Sequence, residues 1–401
     1  MMSVDEALEL MLARARPLEE TEQVPLNDAL GRVLARAERS PIDVPGFANS
    51  SMDGYAIRAS DAALDGPVSL RLTQRIAAGE IGAGLSSGEA ARIFTGAPLP
   101  DGADTVVIQE DCREDGGVVH FRGPAVPGDN VRPRGNDILA GSEILAAGTR
   151  LRPQELGLAA SVGLARLDVV RRLRVAIFSS GDELVQPGEP LFAGAIYNSN
   201  RYTLGGLLSG LGCEIVDLGR VEDTLEATEA ALVAAARDAD VVVSSGGMSV
   251  GEEDHVKRAL ERTGRLEMWR VAVRPGKPLA YGRIGAADFI GLPGNPVSTL
   301  VTFCLFVRPF LLRRHGVASV QPSALRVPAA FAWPHPGRRR EYVRARLERS
   351  ADEITVAIYP KQGSDVLTST VWADGLVEIR EGKTIEPGER VPYYAFSQLL
   401  S

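Results

Sequence analysis

From about Arg172 to Gly316 the chain alternates apolar, β-branched runs with helical patterns, and that alternation restricts the fold more than any other feature. LRVAIFSS is followed by a helical stretch from about Arg201 to Leu211, then CEIVDLG, a helix from Thr224 to Asp238, VVVSS and a further helix. This βαβαβ order predicts a mostly parallel sheet with helices on both faces. Ligands of such sheets sit outside the carboxyl ends of the strands. Those ends read Ser179-Ser180-Gly181-Asp182-Glu183, Gly219-Arg220-Val221-Glu222-Asp223 and Ser244-Ser245-Gly246-Gly247. Each is small or contains glycine, and acids follow each.

The third end opens the segment VVVSSGGMSVGEEDHVK, residues 241–257. Gly246, Gly247 and Gly251 would let backbone N–H groups approach an anion, and the following helix start adds a favourable dipole. Glu252, Glu253 and Asp254 complicate this. Two like charges about 4 Å apart cost roughly 4 kcal/mol at an effective dielectric near 20, so carboxylates beside a bound phosphate require a cation between them or must point away. An ordinary β-to-α turn also uses glycines and first-turn acids, and no complete Walker or dinucleotide fingerprint is present. A basic group follows in WRVAVRPGK. If this piece is a strand, Arg270 and Arg274 face one side together, with Lys277 close by.

At 401 residues the chain is too long for one ordinary core, so two to four domains are expected. A hydrophobic content of 45% with 24% charged residues is that of a soluble globular protein. The net charge of −8 argues against nucleic acid as the main partner. Cys112, Cys213 and Cys304 form no C-x-x-C, which disfavours a disulfide framework or structural zinc and fits a reducing cytoplasm. His120, His255, His315 and His335 lack metal-ligand spacing. The N-terminus reads as an amphipathic helix with Ser3 as N-cap and not as a signal peptide. The apolar run at 297–312 contains Arg308 and Pro309 and falls short of a membrane span, so a buried core or interface helix is expected. Residues 39–150, rich in Gly and Pro with TVVIQE and VVHFRG, predict a small β-rich domain. REYVRARLE, EITVAIY and GERVPYYAF within 318–401 predict a C-terminal barrel or sandwich.

The segment Pro45-Gly46-Phe47-Ala48-Asn49-Ser50-Ser51-Met52-Asp53-Gly54-Tyr55-Ala56 is dense in turn formers, and Asp53-Gly54 suits a carboxylate held out from a tight turn. As a string it resembles the MoeA and gephyrin E-domain family, the molybdopterin molybdenumtransferases. Arg92 to Pro100, Gly135-Asn136-Asp137-Ile138, Ser180 to Leu184, the Ser244 to Asp254 loop, Arg274-Pro275-Gly276-Lys277-Pro278 and Gly291-Leu292-Pro293-Gly294-Asn295-Pro296 are similar to that family's motifs, in its order.

The resemblance implies a multidomain α/β plus β fold: a central α/β domain of the molybdopterin-binding type with a mostly parallel sheet, a β-rich insert and a C-terminal barrel-like domain. It implies the divisions 21–38 with 135–171 (linker and dimerisation), 39–134, 1–20 with 172–317, and 318–401. It further implies a transferase in molybdenum cofactor biosynthesis, in which adenylated molybdopterin and molybdate react in a magnesium-dependent step that releases AMP. Asp53, Asp137, Glu183, Asp223 and Asp254 match the family's cleft acids, assigned together to metal binding and water positioning, with Asp53, Glu183, Asp223 and Asp254 on Mg²⁺. A hard cation such as Mg²⁺ suits oxygen ligands with several waters retained.

Substrate and oxyanion contacts are implied for Thr95, Ser245, Gly246, Gly247, Ser249, Gly251, Arg270, Arg274, Lys277, Pro293, Asn295, Arg344 and Ser364. Asn198 and Asn200 precede a helix, and capping also accounts for Asn200. The family often has lysine where Arg270 and Arg274 stand; a planar fork in place of a point charge bears on the choice between molybdate and tungstate. The expected partners are a second copy of the chain, whose Asp53 would face the α/β cleft, the molybdopterin adenylyltransferase and molybdoenzyme chaperones, with no nucleic acid or membrane. Alternatives are a non-catalytic gephyrin-like scaffold, the adenylyltransferase itself, or a tungstate-preferring homologue.

Overall fold

The computed structural model describes residues 1–248, 255–350 and 353–400. In the central domain the strands are β1 (Arg174–Ser180), β2 (Glu214–Val221), β3 (Val241–Ser245), β4 (Arg265–Trp269), β5 (Ala280–Ile284) and β6 (Ala287–Leu292). They lie in the order β2-β1-β3-β6-β5-β4. The first four are parallel, and β5 and β4 extend the edge antiparallel. The expected mostly parallel sheet is therefore present, with an antiparallel margin that the alternation did not announce.

Helices cover both faces: α1 (Val4–Arg14), α2 (Ser199–Gly210) and α5 (Pro296–Arg314) on one, α3 (Leu225–Asp238) and α4 (His255–Thr263) on the other. Strand alternation supplies both cores. Val175, Ile177 and Val243 join Met11, Leu204, Phe306 and Phe310, whereas Ala176, Phe178 and Val242 join Leu232, Ala259 and Leu260. Each fully buried large apolar side chain contributes about 1.5–3 kcal/mol relative to exposure. Ser3 caps α1 in a full capping box with Glu6. By length and composition α5 could cross a membrane (19 residues, mean hydropathy 1.4), contrary to the sequence reading, but 83% of that stretch is buried inside the protein, so it serves as a core helix. It carries a π-helical turn at Phe303–Val307.

Three further groups of strands surround this domain. Thr21–Pro25 pairs with Arg166–Val170 and Glu38–Arg39 with Glu143–Leu145. A six-stranded sheet holds Gly54–Ile57 between Thr105–Ile108 and Glu89–Ile93. The C-terminal sheet runs through Arg340–Arg349, Gly375–Ile379, Arg390–Ala395 and Leu325–Pro328, with Ile354–Ile358 on the other side of Arg340–Arg349. The bridge from Ala329 to Val356 joins the two ends and curls the sheet toward closure, the barrel-like form expected. Tyr342, Leu376, Phe396 and Leu399 of this part belong to the core that also contains α1 and α5, so the C-terminal sheet is packed against the α/β domain.

Candidate functional site

A cleft of about 1330 Å³ opens at the carboxyl ends of β1, β3 and β6, where a sheet of this topology places its ligand. At the end of β3, Gly246 adopts φ +90°, and a Cβ there would lie 2.3 Å from the carbonyl oxygen of Ser180. Only glycine lets these two strand ends come so close. Ser245, Gly246 and Gly247 all line the cleft, as do Pro293 and Asn295 after β6. Ser249, Gly251 and Asp254 lie outside the described residues.

The start of α2 forms an adjoining wall. Asn198, not Asn200, caps this helix, its side chain accepting from the Arg201 N–H at 3.2 Å. One residue inside the helix, Asn200 turns inward, and its Nδ2 donates to Ser245 Oγ and to the Gly294 carbonyl, each at 2.7 Å. It thereby ties α2 to the ends of β3 and β6. Asn198 Nδ2 and Asn200 Oδ1 are buried without a partner at this wall.

Glu183 and Asp223 border the same cleft from the ends of β1 and β2. The Glu183 carboxylate folds back over Gly181, where a Cβ would approach its Oε2 to 2.6 Å. Asp223 Oδ1 accepts from the Ser180 hydroxyl at 2.8 Å. Among the described residues no three His, Cys, Asp or Glu side chains cluster as a metal-holding set. Two cleft carboxylates nonetheless fit Mg²⁺, which keeps several waters and takes only one or two carboxylates beside substrate phosphates.

Three cations, Arg274, Lys277 and Arg339, also line the cleft, and Gln362, Gly363, Ser364 and Asp365 complete it from the C-terminal domain. The expectation that Arg270 and Arg274 share one strand face fails. β4 ends at Trp269, Arg270 takes φ +71°, and Val273–Arg274 pairs instead with Arg340 and Glu341 of the C-terminal sheet. Arg270 is not among the cleft residues. Arg274 lies 3.3 Å from the buried Glu341 carboxylate, so part of its charge is committed to a structural partner, yet its side chain remains 59% exposed.

Arg344 is fully buried, and its Nε donates to Ser369 Oγ (3.0 Å) and its Nη2 to the Gly363 carbonyl (2.9 Å). It supports this lining from behind. Burial, with Arg274 nearby, pulls its pKa down to about 10. Ser364 meets the α/β side directly, accepting from Asn295 Nδ2 at 3.0 Å and from the Val297 N–H at 3.1 Å.

Asp53 and Thr95 are elsewhere in the subunit. They belong to the β-rich domain, where Thr95 N and Oγ1 both donate to Asp53 Oδ1 at 2.8 Å. The Thr95 N–H, then its hydroxyl, hold the Asp53 carboxyl below its ordinary pKa. Neither residue lines the cleft, nor does the exposed Asp137. Sequence reasoning did not single out Ser180, Arg339, Gln362 or Asp365. Ser180 stood in a quoted strand end, whereas Arg339 sits in an unremarked run, Arg338-Arg339-Arg340.

Comparison with known proteins places this architecture. The MoeA N-terminal region (domain I and II) matches residues 2–163, a probable molybdopterin binding domain 176–313, and the MoeA C-terminal region (domain IV) 326–396. A molybdopterin molybdenumtransferase of Haemophilus influenzae is 37% identical over 410 aligned residues, covering 100% of both chains. A namesake from Nostoc is 40% identical over 81% of this chain and 77% of its own. Among solved structures, a molybdopterin biosynthesis MoeA protein of Pyrococcus horikoshii superposes with a TM-score of 0.80 at 34% identity, covering 99% of each chain. With its motifs, its domains and its whole length matched in this way, the chain belongs to the MoeA family of molybdopterin molybdenumtransferases.

Proposed function

We propose that this protein inserts molybdate into adenylated molybdopterin and releases AMP, as a cytoplasmic transferase of molybdenum cofactor biosynthesis. The observation that carries the reading is the meeting, in one large cleft, of an anion-accepting glycine turn at Gly246-Gly247, a carboxylate margin and three cations. Backbone N–H groups of the glycine turn would hold the pterin phosphate, and Lys277, Arg274 and Arg339 would bind the molybdate oxygens and the charge of the phosphoanhydride. Glu183 and Asp223 would hold Mg²⁺, whose contribution is to neutralise phosphate charge. Asp223, fixed by the Ser180 hydroxyl, can also orient the water that cleaves the anhydride.

Asp53 takes part through a second copy of the chain. Its carboxylate is kept ionised by Thr95 and does not line its own subunit's cleft, which supports a homodimer whose sites combine the β-rich domain of one copy with the α/β domain of the other. The test is incubation of pure protein with adenylated molybdopterin, Mg²⁺ and either molybdate or tungstate. AMP release with metal incorporation is expected. No AMP with either anion refutes the enzymatic reading and leaves the scaffold alternative.

A further inference from the structure

A substrate that carries a pterin and an adenine brings two flat aromatic rings to the cleft. Among the described residues Tyr197 is the only aromatic that lines it. Tyr197 is 45% exposed, and its neighbour Ile196, also in the lining, is 55% exposed. Tyrosines scattered singly over a protein surface require no explanation. One placed in a ligand cleft among polar and small residues is where a ring can be covered on binding.

Tyr197 is also held in place. Its hydroxyl donates to the Glu189 carbonyl at 3.1 Å. The short strand Ile196–Tyr197 pairs in parallel with Leu184–Val185. Here the Ile196 N–H donates to the Glu183 carbonyl at 2.8 Å and the Asn198 N–H to the Val185 carbonyl at 2.9 Å. The loop between the two strands is braced in turn. Arg201 of α2 donates from Nη1 to Gln186 Oε1 at 2.9 Å, and from Nε to Asp217 of β2 at 2.7 Å. Pinning backbone and hydroxyl removes most of the side chain's freedom before a ligand arrives, so stacking on this ring costs little further entropy.

Position decides which ring it meets. The strand that carries Tyr197 pairs beside Glu183, one of the two carboxylates that would hold Mg²⁺ against the phosphoanhydride. The pterin phosphate is assigned to the glycine turn after β3, so the adenosine leaves the anhydride on its other side. We propose that Tyr197 is the stacking platform for the adenine ring of the leaving AMP, with Ile196 as its apolar flank. Because the hydroxyl is engaged by Glu189, recognition uses the face of the ring and favours a flat aromatic base over any particular hydrogen-bond pattern. The proposal rests on the cleft being the site of adenylated molybdopterin.

The test is calorimetric titration of the full-length protein with AMP in the presence of Mg²⁺, paired with steady-state turnover of adenylated molybdopterin and molybdate. Tyr197→Ala should weaken AMP binding about 5- to 30-fold, the scale of one lost base–aromatic stack, and raise KM for adenylated molybdopterin in step. Tyr197→Phe keeps the ring face and should stay within about threefold of wild type. KM for molybdate and Tm should not move in either variant. An unchanged AMP affinity in Tyr197→Ala overturns the proposal, even if KM for adenylated molybdopterin rises, since that result would put the pterin on the ring instead. Equal losses in the Ala and Phe variants, or a parallel rise in KM for molybdate, overturn it as well. A wild-type protein that releases no AMP marks a different failure, that of the enzymatic reading itself.

Discussion

Gly246 shows how much a single residue of this cleft was written in the sequence. Its place after a β-branched run marked a turn, and the structure adds the reason no other residue serves: a left-handed φ and a Ser180 carbonyl 2.3 Å from any added Cβ. Gly246→Ala should cost about 1–3 kcal/mol of stability, read as a lower Tm, and weaken substrate binding. Lys277 is the simplest cation to test, because it lines the cleft without a structural ion pair among the described residues. Lys277→Ala should lower kcat about 10²-fold with Tm unchanged, the scale for removing one donor to a developing charge. Arg270 was misread because side-chain alternation holds only while a strand lasts, and the chain leaves its sheet at Trp269.

His315 yields a pH prediction of the same grain. Its folded pKa of about 4 lies below the unfolded value of 6.5, so between these the unfolded chain binds a proton that the native ring refuses. The stability it contributes is complete above pH 6.5 and is lost as pH falls toward 4, about 3 kcal/mol in all. Denaturant titrations from pH 7 to 4 should show this slope, and it should flatten in His315→Gln.

Among the elements, the alternating βαβαβ series was legible because β1 and β3 are buried on both faces and its helices carry clear caps, such as Thr224 for α3. The β5–β6 hairpin was not, since its apolar residues are interrupted by Gly282 and Arg283 and resemble no isolated strand pair. Nor could local pattern reveal the cross-links that shape the cleft. Asn200 braces α2 to the ends of β3 and β6 through two short hydrogen bonds, and Asn200→Ala leaves Ser245 Oγ and the Gly294 carbonyl without that donor. A loss of about 1–3 kcal/mol and a raised KM are expected, separable by Tm and steady-state kinetics.

At the scale of the molecule, a single subunit brings Glu183, Asp223, Ser245, Gly246, Gly247, Arg274, Lys277, Pro293, Asn295 and Ser364 to one cleft and leaves Asp53, Thr95 and Asp137 outside it. Sequence motifs could name both sets but not their distance, because which domain surfaces meet is decided by packing between segments far apart in the chain. The central claim is that the two sets act as one site shared between copies. Its most direct measurement is AMP release from mixed dimers made by co-expressing Asp53→Ala with Glu183→Ala, each inactive alone. If the site is shared, one of the two sites in a mixed dimer carries both intact halves, so activity should recover to about half of wild type per heterodimer. Heterodimers that form and remain as inactive as either parent would contradict the account.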